Sequence, residues 1–208
     1  MPKLTASLSI DLDNKWAYLK THGDEQWSSY PSYLGVVIPR ILKLLDEFRL
    51  TTTFFVVGQD ASDPQNHQPI TAIAKAGHEI ANHSFQHDPW LHRYSPQQLE
   101  DDLARTETCL RELTGQHPVG FRGPGFSHSV PLLQLLAERG YEYECSTFPT
   151  FIGPLARLYY FAVSRDLSRE EREERKQLFG GWKQGFRPLR PYRWSKVAPS
   201  LVEIPVTT

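Results

Sequence analysis

The stretch Leu4-Thr5-Ala6-Ser7-Leu8-Ser9-Ile10-Asp11-Leu12-Asp13 alternates apolar and polar residues along its length. Leu4, Ala6, Leu8, Ile10 and Leu12 fall on one face and Thr5, Ser7, Ser9 and Asp11 on the other, which predicts a strand ending in two acids. Further on, Pro39–Leu50 reads as a helix with Ile38, Ile41, Leu42, Leu45 and Phe48 as its apolar stripe and Pro39 at an early helical position. Thr51–Val57 is β-branched and aromatic, so it predicts a second strand, ended by Gly58. Asp60–Pro69 reads as polar and turn-rich, Ile70–Lys75 as a short helix stopped by Gly77, and His78–Asn82 as a third strand.

The same alternation continues. Ser95, Pro96 and Gln98 form a capping-box pattern before a helix that turns Leu99, Leu103, Leu110 and Leu113 inward. Val119–Phe121 and Tyr141–Cys145 read as strands on either side of a helix over Ser129–Arg139, and Leu201–Val206 as the last strand. Six strands separated by helices predict an α/β fold with parallel strands, as a barrel or an open sheet. Residues 166–177 are a run of mixed charges, read as a solvated helix face. Residues 179–200, rich in Gly, Pro, Arg and aromatics, read as an irregular segment.

The composition suits one soluble domain. The chain has 208 residues, a mean hydropathy of -0.47 and a formal net charge of -1. Such a balance argues against a nucleic-acid binder, which carries a basic surplus. Cys109 and Cys145 are too few for a disulfide framework. The N-terminus reaches Asp11 too soon for a signal-peptide core, and no apolar run approaches the roughly 18 residues of a membrane span. The expected location is the cytoplasm.

Three groups of residues carry chemistry, and each follows a predicted strand. Asp11 and Asp13 lie two apart, where a cation would relieve their repulsion; alone, they also fit a turn with two solvated acids. His83 and His87 in His83-Ser84-Phe85-Gln86-His87 face one way if the segment makes a helical turn, and both then offer nitrogen to one metal. Arg122 in Arg122-Gly123-Pro124-Gly125 sits in a shaped loop, where two readings stay open: it pairs with Asp11 and holds it ionised, or it ties loops together in a salt bridge. Together they supply two imidazoles, a carboxylate ligand and a second carboxylate as base. That set suits metal-assisted hydrolysis of an amide or ester.

These motifs resemble the polysaccharide deacetylases of the NodB-homology type, carbohydrate esterase family 4. Ser9-Ile10-Asp11-Leu12-Asp13 is similar to the Asp-x-Asp variant of the first motif, His83-Ser84-Phe85-Gln86-His87 to His-Ser-x-x-His, and Arg122-Gly123-Pro124 to Arg-x-Pro. The resemblance implies a distorted (β/α) barrel over residues 1–208. It implies that Asp13, His83 and His87 bind one divalent ion, zinc or a similar metal, and that Asp11 is the base, oriented by Arg122. The substrate implied is an N-acetylated glycan or sugar, whose metal-polarised acetyl carbonyl is attacked by water. Gly125 stands where the family often has Tyr, and its N–H is expected to face the oxyanion. Tyr143-Glu144-Cys145-Ser146 takes the place of Tyr-Asp-Ser-Ser, and the resemblance implies a substrate contact at Glu144. The family's general acid is a late His, yet no His follows His128. The favoured expectation is that the last strand, with its His and the helix after it, lies beyond Thr208; His128 is the lesser alternative as acid. Two other functions stay open: hydrolysis of a non-sugar amide, and an impaired glycan-binding module. The motifs do not fix the oligomeric state.

Overall fold

The β-branched run after Leu50 becomes β2 (Thr53–Val56), which lies parallel between β1 (Ser9–Leu12) and β3 (Glu79–Asn82). Asp11 stands opposite Phe55, and Val56 opposite Asn82. The computed structural model describes residues 6–151, 158, 159, 162 and 185–207. The chain divides into two compact units, Met1–Gln86 with Leu103–Pro118, and His87–Asp102 with Val119–Thr208.

In the first unit the strands alternate with α1 (Lys15–Thr21), α2 (Leu34–Glu47), α3 (Gly58–Ser62) and α4 (Pro64–Lys75). Phe54, Val56 and Ile80 of the strands meet Leu34, Ile38 and Leu45 of α2 and Ile70 and Ile73 of α4 in one buried cluster. Each fully buried side chain of this kind contributes about 1.5–3 kcal/mol. That packing holds the strand ends from which Asp13 and His83 emerge. α5 (Pro96–Thr114) opens on the expected capping box: Ser95 N–H donates to Gln98 Oε1 at 2.8 Å, and Gln98 N–H to Ser95 Oγ at 3.3 Å.

In the second unit β4 (Gly120–Phe121), β5 (Tyr143–Glu144) and β7 (Ala198–Glu203) run parallel, with β6 (Tyr192–Trp194) antiparallel to β7. α6 (Val130–Glu138) begins at Ser129, whose Oγ accepts the Leu132 N–H at 3.3 Å. Its Leu132, Leu133 and Leu136 are buried. No helix among the described residues is long and apolar enough to cross a membrane.

Several boundaries differ from the sequence reading. β1 starts only at Ser9, and Leu8 is exposed; residues 1–5 lie outside the described residues. α2 begins a turn earlier than expected, so Pro39 sits inside the helix and Phe48 becomes its exposed C-cap. Leu34 is fully buried and extends the apolar stripe backwards. The polar stretch after Gly58 is helical, not turn: Asp63 Oδ1 caps α4 through the Gln65 N–H at 3.0 Å, with Pro64 as the first helical residue. Asp63-Pro64 is thus a helix start. Part of the 179–200 segment is regular, since it holds β6 and the start of β7. Trp182 and the charge run over 166–177 lie outside the described residues.

Candidate metal centre

Asp13 is the first residue beyond β1, and His83 the first beyond β3. His83 Nε2 lies 3.3 Å from Asp13 Oδ1; the imidazole is only 2% exposed, the carboxylate 43%. His87 closes the loop that leaves β3. Asp13, His83 and His87 each offer one ligand atom, and the three atoms lie within 4.8 Å of one another. The donor set fits a small divalent ion: two ligands on a tetrahedral ion at bonds of about 2.1 Å stand about 3.4 Å apart. One carboxylate and two imidazoles suit zinc and leave a position open.

The two imidazoles do not meet on a helical turn. The loop is irregular, with Ser84 at φ 62° and His87 at φ 54°, both left-handed. Its backbone is pinned to the start of α3: Gly58 N–H donates to the Ser84 carbonyl at 2.9 Å, and Gln59 N–H to that of Phe85 at 3.1 Å. Gly58 allows this approach, because a Cβ there would stand 2.6 Å from Phe85 Cδ2 and 2.7 Å from Thr106 Oγ1. The Arg105 guanidinium covers the Phe85 ring at 3.7 Å. Asn82 is fully buried, and its Oδ1 accepts the Ser84 N–H at 2.8 Å.

The turn after β1 is held just as closely. Tyr33 Oη donates to the Asp13 carbonyl. Asn14 caps α1 and donates through Nδ2 to Ser32 Oγ at 2.8 Å and to buried Asp60 Oδ1 at 3.0 Å. Burial, then the charges of Asp13 and Asp60, raise the Tyr33 pKa, so its hydroxyl stays a donor. Tyr33 and Asp60 escaped the sequence reading. Asp60 sits in a stretch that reads as polar and turn-rich, and only a helical reading of Gly58–Ser62 turns it inward. Asp11 lies on β1, half-buried, two residues before Asp13.

The second unit holds the remaining candidates. Arg122 is buried just past β4, and its Nε donates to the Cys145 carbonyl at 3.3 Å. Gly123 N–H donates to Ser146 Oγ at 2.9 Å, and a Cβ on Gly123 would meet the Ser127 carbonyl oxygen at 2.0 Å. Gly125 is exposed at φ 59°. Glu144 has no exposed surface. Its Oε2 accepts the Ser146 N–H at 2.7 Å and its Oε1 the Trp194 indole N–H at 3.1 Å, a place that supports the loop. Burial pushes the Cys145 thiol up to about 12, which leaves it a poor nucleophile. His128 has Nδ1 3.3 Å from the Phe126 carbonyl oxygen, and its ring centroid lies 5.7 Å from that of Trp194.

Residues 28–144, more than half of the chain, match the family model described as polysaccharide deacetylase. A peptidoglycan deacetylase of Helicobacter pylori is 28% identical over 188 residues, covering 86% of this chain and 62% of that protein. A peptidoglycan deacetylase-like protein of Gibberella zeae is 31% identical over 165 residues, covering 76% of this chain and 46% of that one. The crystal structure of a candidate polysaccharide deacetylase from Mycobacterium smegmatis matches with a TM-score of 0.69 at 27% identity, over 97% of this chain and 58% of that one. The chain thus spans less than two thirds of each of these proteins.

Proposed function

The chain belongs to the polysaccharide deacetylase family, with the distorted (β/α)-barrel fold class of the NodB type, and from that membership we propose that it removes an N-acetyl group from an amino sugar of a glycan. The observation that supports this reading is the meeting of Asp13, His83 and His87, whose ligand atoms lie within 4.8 Å of one another. A divalent ion held there would polarise the acetyl carbonyl and acidify a water molecule. Asp11 is assigned as the base that takes the proton from the attacking water. Arg122, anchored through Nε to the Cys145 carbonyl, is assigned to keep that carboxylate ionised and oriented. The Gly125 N–H is assigned to the developing oxyanion. Glu144 supports the loop through Ser146 and Trp194 rather than facing solvent. Water adds to the acetyl carbon, a proton passes to the sugar nitrogen as the C–N bond breaks, and acetate and a free amino sugar leave.

The test is acetate release from N-acetylated glucosamine oligomers and peptidoglycan fragments, before and after chelation and after zinc is restored. Release that vanishes with chelation and returns with zinc is expected. Asp11→Asn should lower the rate by about 10²–10⁴-fold while leaving the ion content unchanged. Full activity in Asp11→Asn removes the base assignment. No acetate from any glycan with the zinc-loaded protein overturns the function.

A further inference from the structure

The stretch that leads into β6 and leaves it carries charge of one sign only. From Arg175 to Val202 the sequence holds seven bases and no acid, in a chain whose formal net charge is -1. Arg187, Arg190, Arg193 and Lys196 lie among the described residues, and the last three are exposed. Two large apolar side chains stand among these charges: Phe186 is 82% exposed and Leu189 64%. The loop that presents them is braced from behind. The Arg187 guanidinium lies 4.7 Å from the Trp194 ring centroid, and its Nη1 donates to Tyr192 Oη at 2.9 Å. Tyr192 and Trp194 meet edge to face, with centroids 5.5 Å apart. The Phe186 ring meets Phe151 edge-on at 5.1 Å, and a Cβ on Gly185 would stand 2.4 Å from Phe151 Cε1. Pro188 and Pro191 stiffen the span between these anchors.

We propose that this loop docks the protein on the surface of an anionic lipid bilayer. Phe186 and Leu189 enter the headgroup boundary, and the bases beside them pair with lipid phosphates and carboxylates. The assignment goes beyond the deacetylase reading and does not depend on it. Exposed apolar side chains flanked by bases are the pattern by which proteins lie on a membrane without crossing it. The support from Arg187, Trp194 and Phe151 fixes the loop beforehand, so little order has to be imposed on binding. The geometry also favours lipid over a dissolved polyanion. Tyr192 and Trp194, whose rings could stack on nucleotide bases, are half-buried and engaged with Arg187, while exposed Leu189 has no π face to offer. A polyanion in water would neutralise the bases yet leave Phe186 and Leu189 solvated. Each basic residue near an anionic leaflet strengthens binding about fivefold. Three exposed bases therefore set anionic apart from neutral lipid by about 10²-fold.

The experiment is flotation of the whole chain with vesicles of phosphatidylcholine alone and of phosphatidylcholine mixed with phosphatidylserine, at low and high salt. The wild type should bind the mixed vesicles about 10²-fold more tightly and release them as salt rises. Arg190→Glu combined with Lys196→Glu should weaken that binding at least about 25-fold. Phe186→Ser combined with Leu189→Ser should weaken it about tenfold. All four side chains are exposed, and circular dichroism checks that both variants keep the fold. Equal binding to the two vesicles, binding to neither, or binding that both variants retain overturns the proposal. Loss in the charge pair alone overturns the entry of Phe186 and Leu189 into the boundary. Heparin or an oligonucleotide bound as tightly as the mixed vesicles, by the wild type and the Phe186–Leu189 variant alike, gives the loop to a dissolved polyanion and overturns the lipid surface.

Discussion

Glu144 and Glu203 stand opposite one another on the paired strands β5 and β7, and neither has any exposed surface. Three N–H groups reach the pair: those of Ser146 and Trp194 on Glu144, and that of Thr147 on Glu203 Oε1 at 3.1 Å. Glu203 Oε2 receives none. Burial first, then the hydrogen bond and charge of Glu144, push the Glu203 carboxyl up to about 10. In the unfolded chain a Glu titrates near about 4.3. The folded protein therefore keeps a proton that the unfolded chain releases. Stability from this group is complete below about pH 4 and is lost as pH rises toward 10. Glu203→Gln keeps the shape without the proton demand. Its melting temperature should match the parent near pH 4 and exceed it at pH 8. Parallel curves of Tm against pH for the two proteins would refute the held proton.

Gly58 couples stability to the metal loop. Adding a methyl group there forces Phe85 and Thr106 apart, since the new carbon would stand 2.6 Å and 2.7 Å from their side chains. Gly58→Ala should cost about 1–3 kcal/mol in urea unfolding. It should also weaken zinc binding, because Phe85 lies between the two imidazoles in the chain. Lowered stability with unchanged zinc affinity would show that the loop tolerates the shift.

The ion content reads the ligand set directly. Elemental mass spectrometry of the purified protein should find about one zinc or similar ion per chain, as a three-residue site with an open position holds. His83→Ala and Asp13→Ala should each abolish it, with circular dichroism confirming the fold. Retention of the ion in both variants would place it elsewhere.

Cys145 should be silent toward thiol reagents. With its thiol pushed up to about 12 by burial, almost no thiolate exists at pH 8. Ellman's reagent should label it only after denaturant is added. Labelling of the native protein at the rate of a free thiol would mean that the 144–147 loop opens.

The sequence revealed the centre more fully than its scaffolding, for a physical reason. Candidate metal ligands announce themselves by residue type, and strand ends by where a β-branched run stops, so Asp13, His83 and His87 are legible as candidates in the sequence, and the structure brings their ligand atoms within 4.8 Å of one another. How they meet was not legible. Histidines four apart suggest a helical turn, but here Ser84 and His87 are left-handed, a choice enforced by Gly58, Asn82 and α3 rather than by the loop's own propensity. Asp60 was missed because a polar stretch hides a helix when one buried acid, not an apolar stripe, marks its inner face. β6 was missed because three residues around Arg193 are too few to set a period. Pro39 misled in the opposite direction, since tertiary packing of Leu34 outweighs the cost of a proline inside α2.

The short β6 also bears on how molecules of this protein behave in company. β7 is six residues long, and a strand of that length left open would recruit strands from other chains. β6 covers it instead, with a register shift between Arg193 and Trp194. Pro191 precedes it, and exposed Arg193 reaches across to the Pro199 and Ser200 carbonyls. Among the described residues the edge of the sheet there is brief, irregular and charged, the features by which natural proteins discourage edge-to-edge aggregation. Removing β6 alone would leave β7 open to pairing with strands of other chains.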